Sequence, residues 1–99
     1  MTTQARHPPD LVQKVQEISL DHRDSRFLFT KNLVATPAAL AAFGPLLIAD
    51  RYQFLQEQAR RCNGLDYLQV FEDHANPDAP SLWFIEDWIV VTALLPSDY

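Results

Sequence analysis

The longest apolar stretch of the chain is its last, 81–99 (SLWFIEDWIVVTALLPSDY), broken only by Glu86-Asp87. Aromatic and β-branched residues crowd it, as they do in strands. The pattern predicts an antiparallel hairpin of strands 82–85 and 89–95, turning tightly at the acidic pair. Pro96 ends the second strand because it has no N–H to give a ladder. Upstream, 67–72 (YLQVFE) alternates as a strand and runs into 73–80 (DHANPDAP), a turn-rich loop. A further alternating stretch, 27–35 (FLFTKNLVA), reads as a strand with Phe27, Phe29 and Leu33 on one face.

Helical spacing appears between these stretches. Ile48, Tyr52, Leu55, Ala59 and Cys62 fall at i, i+4, i+7, i+11 and i+14, one continuous stripe. That spacing predicts a long helix over 45–62, opened by Pro45, with Arg60 and Arg61 favourably placed in its last turn and Asn63-Gly64 as its stop. On this reading Cys62 is a small buried hydrophobe, not a nucleophile. Thr36-Pro37 is an N-cap followed by a first-turn proline, so 38–43 forms a short helix that stops at Gly44. At the start, Pro8-Pro9-Asp10 resembles a helix entry, with Leu11, Val15 and Ile18 at helical spacing. Residues 1–8 read as a flexible arm.

The expected fold is a single α+β domain spanning 1–99. An antiparallel sheet of three to four strands, with the C-terminal meander and hairpin 82–95 at its centre, is covered by the 45–62 helix and accompanied by short N-terminal helices. One feature strains that arrangement. The strand 89–95 is apolar on both sides, and a single helical layer covers only one. Either the first helix or a second copy of the chain must cover the other, which points toward a dimer.

The formal charge of −5 counts against a binder that neutralises phosphates, and no nucleic-acid partner is expected. All eight Lys and Arg lie at or before Arg61, where six acids leave a balance of +2. From Cys62 onward there are seven carboxylates and no base. Those acids either keep an apolar sheet soluble or present an acidic face to a basic partner. One cysteine forbids an intramolecular disulfide and fits a cytoplasmic protein. No apolar run approaches the ~20 residues that span a bilayer, so no membrane association is expected.

Chemistry-bearing groups are few. Glu72, Asp73, His74 and Asp78 are the one set resembling metal ligands, but their spacing fits neither the twelve-residue calcium loop nor a zinc site. No GxSxG, P-loop, GxGxxG or HExxH occurs. Neither enzyme activity nor a cofactor or metal is expected. The aromatic residues are better candidates, as interface anchors. Trp88 follows the acidic pair, where a polar residue would be ordinary; it either projects from the surface or packs on the core. The expected contact surface is therefore Trp88 as anchor, Glu86, Asp87 and Asp73 at its rim, and Tyr99 in a docking tail. It would serve a non-enzymatic interaction or regulatory module whose partner is a protein with a basic surface or a second copy. Two alternatives differ in class: an inhibitor or immunity-type protein whose acids mimic nucleic-acid charge, and a small metal-dependent hydrolase using Glu72, Asp73 and His74.

Two stretches carry a resemblance. Leu33-Val34-Ala35-Thr36-Pro37-Ala38-Ala39-Leu40 and the ending Leu94-Leu95-Pro96-Ser97-Asp98-Tyr99 resemble a group of small uncharacterised bacterial proteins. These are often borne on plasmids and mobile elements, and have an early ATPGAL-like motif and an LLPEDY-like end. Leu82-Trp83-Phe84-Ile85 matches that group's tryptophan-containing strand. Ala38 stands where the group has glycine, and 45–64 lacks its Gly-Asp-Trp-rich middle. The resemblance implies a genomic setting and no activity.

Overall fold

In a computed structural model, which describes residues 11–14 and 26–99, five strands and two helices make a two-layer α+β fold. The strands are β1 (Leu11–Gln13), β2 (Asn32–Ala35), β3 (Leu68–Asp73), β4 (Leu82–Glu86) and β5 (Val90–Leu94), in the order β1-β3-β4-β5-β2. The meander β3-β4-β5 is antiparallel, and β1 adds antiparallel to β3. β2 lies parallel to β5. The sheet is thus mixed and five-stranded, not the antiparallel sheet of three to four strands expected. Parallel pairing needs a long crossover, and the two helices between β2 and β3 provide one.

Two local expectations are corrected. Leu11–Gln13 forms a strand where a helix was expected, because the free edge of β3 offers a ladder and alternation turns Leu11 inward. The rest of that expected helix, and the arm 1–8, lie outside the described residues. The stretch 27–35 is extended only from Asn32. Phe27 makes a single bridge to Leu65, and Phe29, at φ 55°, turns the backbone out of extended geometry.

The helices follow their sequence signals closely. Thr36 accepts the Ala39 N–H on its hydroxyl at 3.1 Å and starts α1 (Pro37–Phe43). Gly44, at φ 78°, ends α1 and begins α2 (Pro45–Cys62) in one residue. Ile48, Tyr52, Leu55 and Ala59 are buried, and they join Phe71, Leu82, Phe84, Val91 and Ala93 in the core. The Tyr52 and Phe84 rings stack at 6.1 Å. Each fully buried large apolar side chain contributes about 1.5–3 kcal/mol. Cys62, expected on this stripe, is exposed. The Gly64 N–H bonds the Ala59 carbonyl at 2.7 Å and closes the helix, and left-handed Asn63 turns the chain away, so Ala59 is the last stripe residue to meet the sheet.

Pairing register assigns Trp83 and Ile85 of β4, with Thr92 and Leu94 of β5 and Leu68 and Val70 of β3, to the face opposite the helices. The C-terminal turn reaches that side, where the Tyr99 ring meets Trp83 edge-on at 5.8 Å. Among the described residues no helix is long and apolar enough to cross a membrane.

Candidate functional site

Whereas Leu46 and Tyr99, comparably exposed, lie elsewhere, the β4–β5 connection sets two highly exposed large apolar residues side by side. Its turn sits two residues later than the acidic pair suggests. Glu86 belongs to β4, and the Asp87 N–H donates to the Val90 carbonyl at 3.0 Å, leaving Trp88 and Ile89 as a two-residue apex. The Asp87 carboxylate accepts the Ile89 and Val90 N–H groups at 2.7 and 2.9 Å, an Asx-type closure. These two backbone bonds, Val90 before Ile89, hold the Asp87 carboxyl below its usual range, with Lys31 adding attraction. Lys31 also donates from Nζ to the Asp87 carbonyl. The turn is thus tied down from both sides while Trp88 stands 91% and Ile89 80% exposed.

Glu86 has the opposite environment. It is 8% exposed and accepts the N–H of Phe29 at 2.8 Å, with Lys31 Nζ at 3.5 Å from its other oxygen. The Tyr52 hydroxyl donates to the Lys31 carbonyl. Burial first, then the charge of Glu86, raises the Tyr52 pKa. Glu86 is therefore an internal brace joining β4 to the segment before β2.

Beside the apex lies a groove of about 530 Å³ walled by Phe27, Tyr67, Ile85 and Trp88, with Arg26 and Lys31 at its polar side. The Phe27 and Tyr67 rings meet edge-on at 6.3 Å, and the Arg26 guanidinium lies 5.5 Å from the Phe27 ring centre. Arg26 and Lys31 lie here with Glu86 and Asp87, and Asp66 stands between Leu65, which bridges to Phe27, and Tyr67, so the described groups mix two bases with three acids.

Of the residues singled out from sequence, Glu86, Asp87 and Trp88 come together here. Asp73 does not. It ends β3, six residues beyond Tyr67, whose carbonyl accepts the Glu86 N–H at 2.9 Å; at strand rise that is about 20 Å away. There it accepts the Ala75 and Asn76 N–H groups and shapes the 73–80 loop. Tyr99 lies at that far end too, 80% exposed, against Trp83. Asp98 next to it accepts from the Thr36 hydroxyl at 2.6 Å and the Leu95 N–H at 2.9 Å, in that order the causes of its lowered pKa. Glu72, Asp73 and His74 line a shallow depression at the same end, and no group of three metal-ligating side chains forms among the described residues.

The C-terminal acids consequently share no single face: Glu86 is interior, Asp87 and Asp98 close turns at opposite ends, and Asp73 and Asp78 belong to the far loop. Phe27 and Lys31 were missed by sequence reasoning, whereas Tyr67 is among the aromatic residues it takes as anchor candidates. Two basic residues bracketing an aromatic run, Arg26 to Lys31, are the one local hint of such a groove. No protein-family model, curated protein or solved structure matches the chain.

Proposed function

We propose that the chain is a non-enzymatic protein-interaction module whose contact surface is the Trp88-Ile89 apex and the groove beside it. One observation carries this reading: two large apolar side chains stand almost fully exposed on a turn whose backbone does not call for them. Neither Trp88 nor Ile89 has a positive φ, so the turn accepts most residue types and gives no backbone reason for two large apolar ones, and tryptophan is enriched among residues that carry interface energy. Glu86 and Asp87 beside the groove are committed to structure, Glu86 to Phe29 and Lys31 and Asp87 to the turn. Compared with the sequence expectation, the surface narrows to Trp88, Ile89, Tyr67, Phe27 and Asp87; Asp73 and Tyr99 are left out by their distance. Charge mimicry draws no support from acids spread over both ends of the sheet.

The test replaces the apex with turn-compatible residues. A photo-reactive aromatic amino acid in place of Tyr67, 46% exposed in the groove wall, is used to cross-link the chain in an extract, and adducts are identified by mass spectrometry. The reading expects a polypeptide, either another protein or the chain itself, whose adduct disappears in the Trp88→Asn/Ile89→Gly variant while the fold persists by circular dichroism. Identical adducts with and without the apex would sink it.

A further inference from the structure

Resting on that reading, we propose that the partner at this surface is a second copy of the chain, docked about a two-fold axis so that each Trp88 enters the other's groove. Projection and recess occupy the same end of the sheet. Trp88 and Ile89 form the projection, and Phe27, Tyr67 and Ile85 form the recess immediately beside them. A surface that carries both halves of a contact side by side satisfies the condition for a self-complementary, closed pairing, in which what residue i does to j, j does to i.

Charge points the same way. Two copies of a chain of formal charge −5 repel on average. At this end, however, Arg26 and Lys31 are set among Asp66, Glu86 and Asp87, so among the described residues like surfaces meet with less repulsion than the whole-chain charge implies. A basic partner would meet more acid at the far loop, where Glu72, Asp73 and Asp78 lie and Arg51, bonded to the carbonyl of Leu11 across from Asp73, is the nearby base. The apex is also fixed before contact, held by the Asp87 closure and by Lys31, so little ordering is lost on docking.

Sedimentation equilibrium of the purified chain from about 1 µM to about 1 mM tests this, since a contact of this small size dissociates in that range. The expected result is a reversible monomer–dimer equilibrium whose dissociation constant rises by about 30-fold or more with Trp88→Ala, as for an anchor residue. Tyr67→Glu, which alters the recess at an exposed position, should weaken it comparably. Reciprocity gives a sharper signature. An equimolar mixture of the Trp88→Ala and Tyr67→Glu chains leaves one contact per mixed dimer in which a native Trp88 meets native Phe27, Tyr67 and Ile85, so the mixture should dimerise more strongly than either variant alone. Both variants are checked for native circular dichroism and melting. A wild-type chain that stays monomeric throughout overturns the second copy, as does a dimer indifferent to Trp88→Ala or a mixture that restores nothing. If the monomer still shows an apex-dependent adduct with another polypeptide, the interaction reading stands and only the identity of the partner falls. If no adduct depends on the apex, both fall.

Discussion

Phe29 sits at φ 55° with its ring wholly buried, a conformation that costs a bulky residue about 1–3 kcal/mol. What holds it there is Glu86, which takes its N–H at 2.8 Å. A buried N–H left without an acceptor costs about 1–3 kcal/mol, and breaking a buried charged interaction costs more. Glu86→Ala should therefore destabilise the chain by about 3 kcal/mol in urea unfolding. Glu86→Gln, which keeps an oxygen for Phe29 but loses the charge facing Lys31, should cost roughly half of that. Equal losses would mean that the hydrogen bond is not what matters. The exposed carboxylates act differently. Asp87 and Asp98 are both lowered by hydrogen bonds that favour their charged form, from the Val90 N–H and the Thr36 hydroxyl respectively. A lowered folded pKa means that the unfolded chain takes up protons first. The stability these acids contribute is thus complete above the ordinary carboxylate range and is lost as pH falls through their folded values. Tyr52 runs the other way: its raised pKa contributes below the ordinary tyrosine value and is lost as pH climbs through the raised one. Melting temperature against pH should fall at the acid end, and the Asp87→Asn/Asp98→Asn chain should fall less steeply there.

Among the elements, those decided by neighbours in sequence could be read directly. The stripe Ile48, Tyr52, Leu55, Ala59 needs only helical periodicity, and Thr36-Pro37 is a local start signal; both helices end where their glycine and asparagine say. What escaped depends on contacts far along the chain. Glu86 looks like a turn residue until Phe29, 57 positions earlier, is seen to bond it. The parallel pairing of β2 with β5 and the strand at Leu11–Gln13 are likewise set by available sheet edges, and three residues cannot display a period. Cys62 shares the stripe's period but not its contacts, because the helix closes beside it. Gly44 offers a test at this scale. With φ 78° and ψ 157° it occupies a region that is essentially glycine's alone, although an added Cβ would meet nothing within 4 Å. Gly44→Ala and Gly44→Asn should each cost about 1–3 kcal/mol through backbone strain alone. Asn63, at φ 58° and ψ 37°, is in the ordinary left-handed region, so Asn63→Gly should change stability by no more than about 1 kcal/mol. Equal tolerance at the two positions would show that the Gly44 junction relaxes.

At the scale of the molecule, the two tryptophans report on different surfaces. Trp83 is half-buried on the sheet face away from the helices, under the Tyr99 ring, whereas Trp88 stands at the apex. Charge differs between the same regions: the apex end sets Arg26 and Lys31 among Asp66, Glu86 and Asp87, while Glu72 and Asp73 line the far loop with Arg51 bonded to the carbonyl of Leu11 across from Asp73. A chain that pairs through the apex should therefore change the surroundings of one indole and leave the other alone. In the Trp83→Phe chain, whose reporter is Trp88, emission should begin close to that of a solvated indole and move to shorter wavelength as concentration rises, with matching protection from acrylamide. Raising salt should not weaken this shift, because apolar burial drives the contact and screening relieves the small excess of acid at that end. In the Trp88→Phe chain, whose reporter is Trp83, emission should start at shorter wavelength and stay constant with concentration. If Trp83 shifts and Trp88 does not, the chain associates through the uncovered sheet face, and the second apolar side of β5, not the apex, is what meets another copy.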